Sequence, residues 1–421
     1  MSKEALAVPA TGPLAPALYK DAPELTPRLG NRDLFGGLEP LVYMNHAGIS
    51  PPSVCVRKAV TTLLTDYGKK GASAYPTWAA QRARLRDKLA WLIGAPGATS
   101  IALTLNTTRG ISDVALCFDW KPGDRVVLFS GEFPANVTPW QQAAGTFGVE
   151  VVMLDGRRFP TDEAGVLADL EATLEQGRVR LVAASYVQFQ TGYRLPLADI
   201  GKLCHAHGAR LFVDAVQGLG MVSLDVQAFG VDFVACGAHK WLMGTEGAGF
   251  LYASPEAVPL LTPRVAGWLS HDDAATFLFE GPDLLRHDRP IRTDIGFLEG
   301  ANLSAMSFAA LEASLDLILR LGLEEVFEHV QKVNDAIEGP AKELGFRSLR
   351  SENPERRSGS LCLLPPEGVD VIALQREIVR QGVACATPDG YLRFSPHWPN
   401  AVDEADQVVL TLEHALGVVR A

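Results

Sequence analysis

The chain has little of what marks a membrane-spanning or secreted protein. None of its 421 residues falls in an apolar run of the ~18 to 20 needed to cross a bilayer. The segment Met1 to Pro9 has no continuous apolar stretch of the signal-peptide kind. Cysteine is sparse. The six present, Cys55, Cys117, Cys204, Cys236, Cys362 and Cys385, are scattered without a CxxC pair, as expected for reduced thiols rather than a disulfide framework. Positive charge is also short, with 38 Lys and Arg against 49 Asp and Glu and a net charge of -11. That balance argues against a nucleic-acid or anionic-membrane partner. A cytoplasmic protein acting on small molecules is the expectation. Cys204, His205 and His207 stand close together, but no second ligand group has metal-like spacing. The trio reads as a helix end before a Gly208 cap, and no metal is expected.

What the chain does have is enough apolar residue, 47% of the total, for a large core and more than one domain. Residues 1 to 40 are rich in Pro and Gly and read as an arm. Apolar runs at Arg125 to Phe129, Val149 to Leu154, Val179 to Ala184, Leu211 to Val213 and Phe233 to Ala235 alternate with helix-like segments such as Pro76 to Ile93 and Leu197 to His207. This alternation implies an α/β fold, with a mainly parallel sheet covered by helices on both faces. Near Asn302 the pattern changes to long helices, Ser304 to Leu321 and Glu324 to Leu344, followed by short strands at Ser360 to Leu364 and Tyr391 to Phe394. The expected division is a large domain over 41–299 and a smaller one over 300–421.

Lys240 lies between the strand-like run Val231 to Ala235 and a glycine-rich turn ending at Gly244. Burial there would lower the amine pKa toward its nucleophilic form. The run Leu211-Phe212-Val213 ends in Asp214, 26 residues before the lysine. One strand-helix unit of about 30 residues separates neighbouring strand ends in an α/β sheet, so both groups can face one ligand. Pyridoxal phosphate needs that pair, a lysine for an imine and an acid to keep the pyridine nitrogen protonated.

The segments Val213-Asp214-Ala215-Val216-Gln217 and Gly237-Ala238-His239-Lys240-Trp241-Leu242 resemble the cofactor signature of class V aminotransferases. That family is a branch of the fold type I pyridoxal phosphate enzymes and includes cysteine desulfurases, kynureninases and isopenicillin N epimerase-like proteins. The resemblance runs in order from Tyr43 to Asn400. It implies a seven-stranded, mainly parallel sheet, a smaller α+β C-terminal domain, and a homodimer.

Further contacts follow from chemistry and the resemblance together. Asn106-Thr107-Thr108-Arg109-Gly110 follows an apolar run at a strand-turn-helix junction, where backbone N–H groups and hydroxyls suit a phosphate. It resembles the family's phosphate loop, with Thr107 and Thr108 as ligands. Phe133 stands where the family stacks a ring on the cofactor, a position that is histidine in desulfurases. Gln217 could reach the phenolic oxygen or the phosphate, and so could Gln188 or Gln190, which share side-chain parity. His239 is expected to bond the phosphate and Arg292 to add positive charge. Two positions depart from the family pattern. Gly237 replaces a serine, and Ala301 replaces a threonine that reaches a partner's phosphate, a loss that Thr293 or Ser304 could offset.

Arg393, on a short apolar strand, needs an anion and suits an α-carboxylate. The stretch Arg393-Phe394-Ser395-Pro396-His397-Trp398-Pro399-Asn400 resembles the family's segment for that task. Asn45 and His46 match its first active-site loop and are candidate substrate contacts. The resemblance leaves several reactions open to the carbanion: Cβ elimination, transamination, epimerisation or decarboxylating deamination. Cys385, the candidate persulfide carrier, reads as a buried strand residue, which disfavours a dedicated desulfurase. The expected activity is a lyase of the carbon-sulfur type. A catalytically silent scaffold is disfavoured by the intact Asp214 and Lys240 pair.

Overall fold

The structure, a computed structural model, describes residues 26–420, so most of the expected N-terminal arm lies outside the described residues. Its strands are β1 (Val42–Tyr43), β2 (Ile101–Thr104), β3 (Arg125–Phe129), β4 (Glu150–Leu154), β5 (Val179–Ser185), β6 (Arg210–Asp214), β7 (Phe233–Gly237), β8 (Gly249–Ala253), β9 (Arg347–Ser348), β10 (Leu361–Leu364), β11 (Val383–Ala384) and β12 (Leu392–Phe394). Seven of them form one sheet in the order β2-β8-β7-β6-β5-β3-β4. Neighbours from β4 to β7 pair in parallel. Only β8 runs against its neighbours, β7 and β2. The expected seven-stranded, mainly parallel sheet is what is found.

The composition of the strands explains why the sheet sits in the middle. Successive side chains on a strand point to opposite faces. In β6, Leu211 and Val213 join one apolar cluster with Val182, Ala184 and Val234. Phe212 joins the other, with Leu181, Ala183, Phe233 and Trp140. Both faces are dry, so these strands read as continuous apolar runs instead of alternating ones. The helix Thr107–Cys117 follows β2, Thr138–Phe147 follows β3, and Leu197–Ala206 follows β5. Each crossover returns the chain to start the next strand from the same edge, which puts the carboxyl ends of β3, β5, β6 and β7 side by side.

A third cluster joins Val333, Leu361, Leu363, Leu374, Phe394 and Val408 around the three-stranded sheet β12-β10-β9. The long helices Ala305–Leu321 and Leu323–Glu343 lead into it. Val42 and Met44 share this core, because β1 pairs in parallel with β11. The start of the described chain therefore packs with its end. The expected helix end at His205 is also found. Helix Leu197–Ala206 stops before Gly208, which has a left-handed φ of 71°, and the His205 ring pairs with Asp232 at 2.9 Å.

Candidate active site

Ser185 and Asp214 close strands β5 and β6 and are register partners. Phe133 lies just beyond β3 and Lys240 just beyond β7. With Val187, Phe189, Val216 and Gln217 these side chains line a small cavity. The two residues singled out first in the sequence thus meet at one edge of the sheet.

Burial acts on both of them in the direction that favours the neutral form. It pushes the Asp214 carboxyl up to about 6, against a hydrogen bond from the Val216 N–H at 3.0 Å and the positive charge of Lys240. It lowers the Lys240 amine below its usual range, and Asp214 opposes that shift. The Lys240 Nζ lies 5.5 Å from the centroid of the Phe133 ring. Phe133 meets Phe189 edge to face at 5.3 Å, so the cavity has an aromatic wall beside the amine.

A second group of residues gathers at the start of helix Thr107–Cys117. The Asn106 side chain caps the helix by accepting from the Arg109 N–H at 2.8 Å. Thr107 is buried, and its Oγ1 accepts from the Gly237 N–H at 2.9 Å, while Thr108 is exposed. A Cβ added at Gly237 would come within 3.2 Å of Thr107 Oγ1 and 3.4 Å of the His239 ring. Threonine, glycine and histidine therefore close on one another at a helix N-terminus, which favours negative charge. Burial and the neighbouring Lys240 lower the His239 pKa.

Arg393 is 5% exposed, and its guanidinium donates to the Phe189 carbonyl at 2.8 Å. Its Nε has no partner, and no carboxylate pairs with it among the described residues. A buried cation in that condition is costly unless an anion arrives. The buried Asn45 Oδ1 is likewise without a partner.

Other expected residues are held by the protein itself. Gln217 donates to the Ala47 carbonyl at 3.1 Å and accepts from Trp241 Nε1 at 3.0 Å, although it borders the cavity. Gln188 donates to the Gly156 carbonyl at 2.7 Å and accepts from Thr191 at 2.8 Å. Gln190 bonds Asp389. His46 is 1% exposed and shares a hydrogen bond with Ser50 Oγ at 2.8 Å, and Ser50 donates to the Lys240 carbonyl at 2.6 Å. The His46 ring thus steadies the lysine turn from behind and does not line the cavity. Arg292 pairs with Asp294 at 3.0 Å and borders a different hollow, beside Tyr75 and Phe279. Ser304 caps helix Ala305–Leu321 by accepting from the Ser307 N–H.

Glu132, Ser185 and Phe189 were not among the residues expected at this site. Ser185, Val187 and Phe189 recur at every second position from the last residue of β5, which is the signal that could have found the lining residues. All six cysteines are buried. Burial pushes the Cys362 and Cys385 thiols up to about 12 and the Cys236 thiol well above its usual value.

These features fit pyridoxal phosphate. An amine held toward its neutral form faces a buried carboxyl and an aromatic ring, with a helix start nearby and a guanidinium that is bonded to the Phe189 carbonyl and has an unpartnered Nε. Together with the seven-stranded sheet they define a fold type I pyridoxal phosphate enzyme. The pattern of the family described as aminotransferase class-V matches residues 42–407, and the chain belongs to that family. It is 28% identical over 407 residues to a probable cysteine desulfurase of Methanothermobacter thermautotrophicus, covering 90% of this chain and 95% of that protein. It is 30% identical over 351 residues to the cysteine desulfurase CsdA of Escherichia coli, covering 79% and 82%. Among solved structures, a complex of the cystine C-S lyase C-DES with its reaction product cysteine persulfide superimposes with a TM-score of 0.78 at 24% identity, covering 88% of this chain and 96% of that one.

Proposed function

We propose that the chain is a pyridoxal phosphate lyase that removes a sulfur substituent from Cβ of a cysteine-type amino acid and releases it to solvent. The observation that carries this reading is the cavity at the sheet edge. It sets Lys240 against Asp214 and is served by Arg393, while every thiol of the chain is buried with its pKa raised by that burial. A desulfurase that stores sulfur on itself needs an exposed, ionisable cysteine. The names of the relatives support sulfur chemistry on cysteine, and the cystine C-S lyase C-DES has cysteine persulfide as its reaction product.

In this reading Lys240 is the cofactor lysine and Asp214 its pyridine partner. Phe133 stacks on the ring. Thr107, Thr108 and His239 hold the phosphate at the helix start. The cofactor, when bound, supplies the electron sink for charge that develops at Cα. Arg393 holds the substrate carboxylate, fixing which Cα bond faces the lysine. The Lys240 Nζ, kept toward neutrality by burial, takes the Cα proton; as the Cβ–S bond breaks, the sulfur leaves with its electron pair and takes up a proton that Lys240 can supply. Gln217 keeps the lysine turn in place through Trp241. Asn45, with its unpartnered oxygen, is a substrate contact, and His46 braces the turn.

The division near residue 300 and a homodimer belong to the same reading. Exposed Trp268, Phe279 and Leu285 support a covered surface there, and Arg292 lies in that segment. No helix among the described residues is long and apolar enough to cross a membrane. Incubating the cofactor-loaded protein with cysteine, cystine and related amino acids tests the reaction. An α-keto acid, ammonia and free sulfide or persulfide, formed without an added amino acceptor, are expected. A requirement for a keto-acid acceptor would establish an aminotransferase instead.

A further inference from the structure

Beside the Asp214 cavity stands a second acid that the mechanism above does not use. Glu132 lies in the loop after β3, third after its last residue Phe129, and precedes Phe133 directly. Its side chain points inward, and protein donors occupy both carboxylate oxygens. Oε1 accepts from the Ser185 N–H at 2.6 Å. Oε2 bonds the Ser185 hydroxyl and accepts from Asn136 Nδ2 at 3.2 Å. Asn136 is fixed in turn by Trp140 Nε1 at 3.1 Å, so the loop is anchored to the helix behind it. Ser185 is the register partner of Asp214 and lines the cavity.

We propose that Glu132 is a positioning residue for the cofactor: it ties the Phe133 loop to the end of β5 and places a second, ionisable carboxyl beside Asp214. The inference rests on the assignment of this cavity to pyridoxal phosphate. The charged and titratable groups around Glu132 come from several elements. Asp214 on β6 acts on it directly, Lys240 acts in turn on Asp214, Cys236 and Arg393 act on Lys240, and Arg157 packs against the neighbouring Gly131. Burial pushes the Glu132 carboxyl up to about 7; the three donors oppose that shift and the charge of Asp214 adds to it. Glu132 therefore gains or loses its proton near neutral pH, and each change alters the field at the strand ends. The anionic form favours positive charge on the cofactor-lysine unit.

The test is a pH titration of the visible absorption of the loaded protein, which reports protonation of the cofactor itself and does not depend on turnover. Glu132→Gln keeps the shape and removes the charge. Its midpoint is expected about one pH unit below that of the parent, the size of one nearby charge at an effective dielectric of ~20. Ser185→Ala removes one donor to the ionised acid and should move the midpoint the same way by less. If Glu132→Gln does not fold, Ser185→Ala decides alone. Midpoints that coincide with the parent's in the folded variants would overturn the inference while leaving the cofactor assignment intact. Absence of any visible band when pyridoxal phosphate is added to the parent protein would overturn both.

Discussion

Arg393 donates to the Phe189 carbonyl at 2.8 Å, tying the strand β12 to the segment that lines the lysine cavity. The two parts of the site are thus coupled through one guanidinium that still has a free edge. Arg393→Ala should weaken binding of carboxylate substrates by about 2 to 5 kcal/mol, the range for losing one partner of a buried charge pair. Arg393→Lys should recover only part of that, because an ammonium cannot make the bidentate contact. Binding titrations with an unreactive substrate analogue measure both. Parent-like affinity in Arg393→Ala would remove it from the substrate site.

Asp214→Ala should retain the fold and lose several orders of magnitude in turnover, since the electron sink works only with its ring nitrogen protonated. Single-turnover rates on the loaded variant check this. A variant that kept its cofactor and near-parental rates would place the pyridine nitrogen elsewhere.

The thiols offer a contrasting expectation. Cys385→Ser and Cys362→Ser should each keep most of the activity, and alkylating reagents should inhibit slowly, because both thiols are buried with pKa values near 12. Loss of sulfur release in Cys385→Ser with carbon chemistry preserved would identify a sulfur carrier after all.

The raised acids also fix the sign of a pH effect on stability. A carboxyl whose folded pKa lies above its unfolded value contributes stability at low pH that is lost as pH rises through the folded value. For Asp214, at about 6 against 3.8, the window is roughly pH 4 to 6, and the loss is on the order of 3 kcal/mol. Denaturant unfolding of the cofactor-free protein should therefore show stability falling across that window, and Asp214→Asn should flatten the trend. An unchanged slope in Asp214→Asn would assign the effect to other groups.

Much of this fold was legible because strands buried on both faces announce themselves as apolar runs. β3 and β6 lie where their apolar runs indicate, and Asp214 and Lys240 stand out as polar groups at the ends of such runs. The mainly parallel direction was legible from the alternation of strands with helices, whereas β8, which follows β7 with no helix between them, runs antiparallel and had no such signal. The glutamines illustrate another limit. Gln188 and Gln217 occupy ligand-like positions, yet their amides are bonded to Gly156 and to Ala47 and Trp241, partners that only the folded chain brings near. His46 reads as a substrate contact by its place in the chain, but its ring is turned to Ser50. Glu132 escaped notice for the opposite reason, because a glutamate between a glycine and an aromatic looks like an ordinary surface loop.

The identity of the cofactor lysine tests the central claim most directly. Borohydride reduction of the loaded protein, followed by proteolysis and mass mapping, should find the pyridoxyl group on Lys240 alone. A label on any other lysine, with Lys240 unmodified, would contradict the account of the site.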